Sequence, residues 1–87
     1  MSPSGKLDVT AVSSLHADFV AHSGKDIVLD LGAVTQFGAL CLQTCLAAAQ
    51  AAKRSETTFE IVNATDPVLA QIGAMGFTPE TLAEGCT

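Results

Sequence analysis

The chain has 87 residues, 48% of them hydrophobic and 15% charged, with a net charge of −5. That balance describes one folded domain with a modest core and excludes a disordered chain. Nine carboxylates against four Lys and Arg exclude nucleic acid and anionic membrane surfaces as partners, because a phosphate-rich surface would repel the chain.

No apolar run approaches the ~18–20 residues needed to span a bilayer, so no membrane insertion is expected. The start, M-S-P-S-G-K-L-D, lacks the charged-then-apolar order of a secretory signal. Three cysteines form no disulfide framework, which makes free thiols in the cytoplasm the plain expectation. Residues 1–87 are read as a single domain with its core at about 5–77 and mobile ends at 1–4 and 84–87.

Gly5-Lys6-Leu7 reads as the end of a short strand. Asp8 and Thr10 are good N-cap types for a helix from Val9 to Val20, whose Ala11, Val12, Leu15 and Phe19 share one stripe. Gly24 suits its end. Ile27–Leu31 is a short apolar run of strand character, followed by a turn from Gly32 to Gly38 in which Thr35-Gln36-Phe37 can add a short extended piece. A second helix runs from Ala39 to Lys53, with Leu42, Cys45, Leu46 and Ala49 facing the sheet and Cys41 and Ala52 flanking them.

Thr57–Val62 alternates with strand period. Thr65-Asp66-Pro67 starts a third helix, to Met75, that buries Val68, Leu69 and Ile72. Phe77 returns to the core, and Thr78-Pro79-Glu80 opens a last short turn of helix before Gly85. Strands alternating with helices imply parallel pairing with right-handed crossovers. The expected architecture is α/β: a small, mainly parallel sheet with its helices predominantly on one face.

These pieces carry a resemblance. G-K-L-D before an amphipathic helix, then I-V-L-D-L-x-x-V-T-x-F, a helix opening at the turn, F-E-I-V-N, and a helix ending in M-G-F resemble a STAS domain from about Gly5 to Phe77. This is the fold of anti-sigma factor antagonists and of sulfate-transporter tails. The F-G-A-L-C-L-Q form is nearest to small stand-alone STAS proteins of bacterial chemotaxis clusters. The resemblance implies a bacterial signal-transduction module that binds a protein, without catalytic residues, metal or cofactor. Its expected partner is a GHKL-type kinase, an anti-sigma factor or a chemotaxis kinase assembly. A subunit of an ABC lipid transporter, gripping the ATPase, is the alternative.

In phospho-regulated members the loop before the second helix carries Asp-Ser-Ser/Thr-Gly. Here the motif falls on Gly38-Ala39-Leu40-Cys41, so Ala39 and Leu40 form a degenerate phosphosite that cannot accept phosphate. Asp8 matches the family acid near that site, and it has a structural role as an N-cap. The family's opening strand region is shortened, and an open sheet edge could pair two copies into a homodimer. The expected partner-binding surface is Gln36, Phe37, Gly38, Ala39, Leu40, Gln43, Thr44 and Ala47, an uncharged patch on an acidic protein. Phe37 either completes this patch or turns into the core.

Other candidates have plainer explanations. Cys41 and Cys45, one helical turn apart, make half a zinc site at most and suit core packing. Cys86 reads as an inert or adventitiously oxidised thiol. His16 and His22 form no nucleophile–base pattern and suit a solvent-facing helix, although a thiol or phosphotransfer enzyme would draw on such groups. Asp26 and Asp30 bracket a strand and can cap nearby N–H groups, and Asp30 could line a pocket near Gly38. Thr35 and Thr44 are the hydroxyls nearest the degenerate phosphosite and offer a second route to phospho-regulation.

Overall fold

A computed structural model describes residues 2–85. Four short strands occupy Ser4–Leu7 (β1), Ile27–Asp30 (β2), Ala33–Phe37 (β3) and Phe59–Val62 (β4). The helices are Val12–Ala21 (α1), Ala39–Arg54 (α2), Asp66–Ala74 (α3) and Pro79–Ala83 (α4), with a 3-10 turn at Val9–Ala11. The first helix is therefore split. Asp8 caps the 3-10 turn by accepting from the Thr10 amide at 3.0 Å, and regular α-helix begins only at Val12.

The sheet is parallel but divided. β1 pairs with β3, and β2 pairs with β4. Only Leu31 and Gly32 separate β2 from β3, so one extended stretch gives its first half to β4 and its second half to β1. The step between partners occurs where Leu31 donates its amide to the Val62 carbonyl at 3.0 Å and accepts from the Val34 amide at 3.1 Å. What the sequence suggested as a turn with a short extended piece is thus a five-residue strand. β1–β3 is the irregular half: its register shifts between Gly5 and Lys6, and Gly5 takes a φ of +74° that other residues resist.

One core holds the parts together. The fully enclosed side chains include Leu29, Leu31, Phe37, Cys41, Cys45, Val68, Ile72 and Leu82. Phe19 of α1 meets Phe59 of β4 with ring centroids 5.7 Å apart, a favourable tilted geometry. The helices α1 and α2 lie side by side, α3 packs on β3, and α4 packs on both α2 and β4.

Several expected contacts differ. The core continues past Phe77 to Leu82, which α4 inserts against α2 and β4. A capping box between Thr78 and Thr81 fixes the start of that short helix. Leu69 is 40% exposed because α3 is only nine residues long and turns Val68 and Ile72, one turn apart, toward the core. Phe77 is half-buried at the core edge. On α2, Cys41 is wholly enclosed while Leu46 is half-buried, a rotation of the inner stripe toward the helix start. Ser4, placed by the sequence in a mobile end, belongs to β1. Met1, Cys86 and Thr87 lie outside the described residues, and with them the expectation for the Cys86 thiol.

Candidate partner-docking site

The start of α2 is set by close backbone approach. Gly38 is its N-cap and donates its amide to the Leu7 carbonyl at 2.8 Å. A Cβ built on Gly38 would stand 3.0 Å from that same carbonyl oxygen. The Cys41 thiol then donates to the Asp8 carbonyl at 3.5 Å. These contacts fasten the end of β1 and the 3-10 turn against the first turn of α2. A glycine at this position is explained by backbone proximity, independently of any signalling role.

Phe37 is the main correction to the sequence-predicted surface. It is 2% exposed and belongs to the core. Its amide donates to Oε1 of Gln71, which lies on α3. A partner cannot read the Phe37 ring. What α3 supplies instead is a side-chain acceptor for an amide at the end of β3, where the strand ladder stops.

The other predicted residues do come together. Gln36 is exposed on β3, and Gly38 is half-buried at the corner. Ala39, Leu40, Gln43 and Ala47 are exposed along α2, with Thr44 half-buried between them. The spacing 40, 43, 44, 47 puts one continuous face outward. Leu40 is 49% exposed, high for a large aliphatic side chain.

Sequence periodicity missed Val9, which is 68% exposed in the 3-10 turn beside the start of α2. It lies off the stripe of Ala11, Val12, Leu15 and Phe19, so a helical reading treats it as an ordinary solvent position. The missed signal is the Asp8–Thr10 cap, which delays the α-helix and turns Val9 outward.

A groove of about 440 Å³ runs between α1 and α2. Leu40, Gln43, Thr44 and Ala47 form part of one wall, and Val12, His16 and Val20 part of the other. Among the described residues no Asp or Glu lines it, although the chain has nine.

The titratable groups nearby are occupied structurally. The Thr10 hydroxyl donates to Asp8 Oδ1 at 2.5 Å and the Thr10 amide donates to the same oxygen at 3.0 Å. These two bonds hold the Asp8 carboxyl below its ordinary value, the hydroxyl contact most strongly. Burial pushes the Cys41 thiol up, and the nearby Asp8 charge adds to this. Burial raises Cys45 still further, with Cys41 as the lesser cause. Burial thus favours the protonated form of both thiols. Among the described residues, no group of three or more His, Cys, Asp and Glu side chains converges as a metal site would require.

Asp26 accepts the Thr58 amide at 2.9 Å. Asp30 accepts the Gly32 amide at 2.8 Å and the Asn63 side-chain amide at 3.3 Å, so its carboxylate serves the β2–β3 junction. His22 places Nδ1 2.8 Å from the Asp18 carbonyl, and His16 is exposed on α1. The Thr44 hydroxyl donates back to the Leu40 carbonyl at 2.9 Å, whereas Thr35 is exposed on β3.

Parallel strand pairs joined through helices, with a helix opening at a solvent-facing corner, define a small α/β domain that presents a helix face. The family described as Mlab, STAS domain matches residues 1–82, and the chain belongs to it. No curated protein matches the chain. STAS domains are in general protein-interaction modules of the anti-sigma-factor-antagonist type, without catalytic activity of their own. Among the described residues no helix is long and apolar enough to cross a membrane.

Proposed function

We propose that this STAS domain is a non-enzymatic docking module of bacterial signal transduction, and that it binds a protein partner through the exposed face of α2 and the corner before it. The observation that carries the reading is the outward face of Ala39, Leu40, Gln43 and Ala47, apolar or uncharged on a chain of net charge −5. The docking set is Gln36, Gly38, Ala39, Leu40, Gln43, Thr44 and Ala47, joined by Val9 and without the ring of Phe37. The partner is a GHKL-type kinase, an anti-sigma factor or a chemotaxis kinase assembly. Ala39 and Leu40 have no hydroxyl, so binding is not switched there by phosphate.

The test is a pull-down with the wild-type chain and with Leu40→Asp. The wild type is expected to recover a kinase, anti-sigma or chemotaxis protein, and the variant to lose it while keeping its fold by circular dichroism. Recovery of an ABC-transporter ATPase would instead favour the lipid-transporter alternative, which uses the same uncharged face. Phospho-regulation would have to use another hydroxyl. Thr35 is the more accessible candidate, since Thr44 is half-buried with its hydroxyl bonded to the Leu40 carbonyl. Mass spectrometry after incubation with the recovered kinase and ATP reads this directly: phosphate on Thr35 or Thr44 would show a switched complex, and its absence a constitutive one.

A further inference from the structure

The groove between α1 and α2 is asymmetric in a way that describes its occupant. Its α1 side carries every charge-capable side chain: His16, His22 and, just beyond the helix, Lys25. Its α2 side offers only apolar and uncharged groups, from Leu40 at one end to Ser55 at the other. Two of the few exposed large aliphatic side chains, Val20 at 60% and Leu40 at 49%, stand on opposite sides of it. Small side chains on α2, Ala47, Ala48, Ala51 and Ala52, leave room for another backbone to approach.

The two helices run in the same direction. Their starts are joined by the Cys41–Asp8 contact. The segments just after their ends are joined by the Ile27 amide donating to the Thr58 carbonyl at 2.9 Å and by the Asp26–Thr58 bond. The partially negative carbonyl ends of both helices therefore lie at the same end as His22 and Lys25. α2 has 16 residues, so the groove beside it follows a helix about 24 Å long.

We infer that the groove seats an amphipathic helix of the partner, antiparallel to α1 and α2, with its apolar stripe on the alanines and its acidic residues toward α1. The antiparallel direction sets the partially positive start of the partner helix against the carbonyl ends of α1 and α2. Acidic residues in its first turn then suit its own dipole and meet Lys25 and His22. Among the described residues the groove offers no carboxylate to a basic helix, whereas Lys25 is there to meet an acidic one. This inference rests on the docking reading above and names the segment that α2 would receive.

The test places a photo-crosslinking residue at Ala51, deep along the groove, at Leu40, or at Leu69 on α3 as a control, in the full chain within the cells that make it. The expected result is one partner from both Ala51 and Leu40, none from Leu69, and a cross-linked segment with apolar helical spacing and acids on one flank. That segment, made as a synthetic peptide, should bind Lys25→Glu about five- to tenfold more weakly than wild type. It should bind Lys53→Glu, altered outside the groove, like wild type. Cross-linking from Leu40 but not Ala51 would overturn the groove occupant and leave the docking surface standing. A basic segment, a second copy of this chain or a lipid adduct at Ala51 would also overturn it. No cross-link from either position would overturn both readings.

Discussion

The two halves of the divided sheet are built to different standards. β2 and β4 pair residue for residue over four positions, and Asp26 and Asp30 lend their carboxylates to loop amides at their ends. β1 and β3 pair through a register shift, and the last amide of β3 turns to a side chain on α3. The candidate site grows from this second, irregular half. The irregular half closes Gly38 on Leu7 and Cys41 on Asp8, which delivers α2 with its uncharged face outward. Both halves feed the core, and the irregular half also aims the helix.

If the irregular half is as much a part of the folded unit as the regular one, emptying a core site in either should cost comparable stability. Phe37→Ala, which empties an enclosed site there, should cost about 3–5 kcal/mol. Leu29→Ala in the regular half should cost about 2–5 kcal/mol. Urea denaturation measures both. A Phe37→Ala cost well under that of Leu29→Ala would mean that the corner is an appendage.

A smaller effect separates the two ways of ending a strand. Gln71→Leu leaves the part-buried Phe37 amide without its acceptor and should cost about 1–3 kcal/mol. Asp26→Ala releases an exposed amide that water can serve, so its cost should fall at or below the low end of that range. Equal costs would show that the Gln71 contact is dispensable. Leu40→Asp should shift stability by no more than about 0.5 kcal/mol, since the side chain is half-exposed, yet abolish partner recovery. A large loss of stability would reassign Leu40 from the surface to the fold.

The smallest effect is electrostatic. The Asp8 carboxyl should titrate below its reference value of 3.8, followed by NMR, and Thr10→Val should move it back up. Because the folded value is the lower one, the contribution of this cap is present above the unfolded pKa and is lost as pH falls through the folded value. An unchanged titration in Thr10→Val would remove the hydroxyl as the main cause.

Much of this was readable from the amino acids. Most of the inner face of α2, Leu42, Cys45 and Ala49, follows from helical spacing, with Leu46 the exception, and the starts of α3 and α4 follow from Thr65-Asp66-Pro67 and Thr78-Pro79. The STAS family relationship followed from the order of the pieces. Harder to read were features fixed by residues distant in sequence. A-V-T-Q-F has too little pattern to announce β3, whose partner lies about thirty residues earlier in the chain. The inward turn of Phe37 depends on core space and on Gln71, 34 positions away. Leu69 has the composition of a core residue, but the narrow inward stripe of α3 leaves it outside. The position of the candidate surface was legible on Gln43, Thr44 and Ala47, while Val9 was hidden by a cap that changes the helix type.

The two enclosed thiols of α2 have a practical consequence. Cys41 sits where β1 and the 3-10 turn meet the helix, and Cys45 lies one turn further in. A thiol reagent reaches either only when the chain opens, and exchange-type kinetics then report the free energy of that opening. With Cys86 replaced by serine, the pair becomes an internal gauge of motion. Faster labelling of Cys41 than of Cys45 would reveal a corner that unlatches by itself, and matching rates would reveal a domain that opens only as a whole.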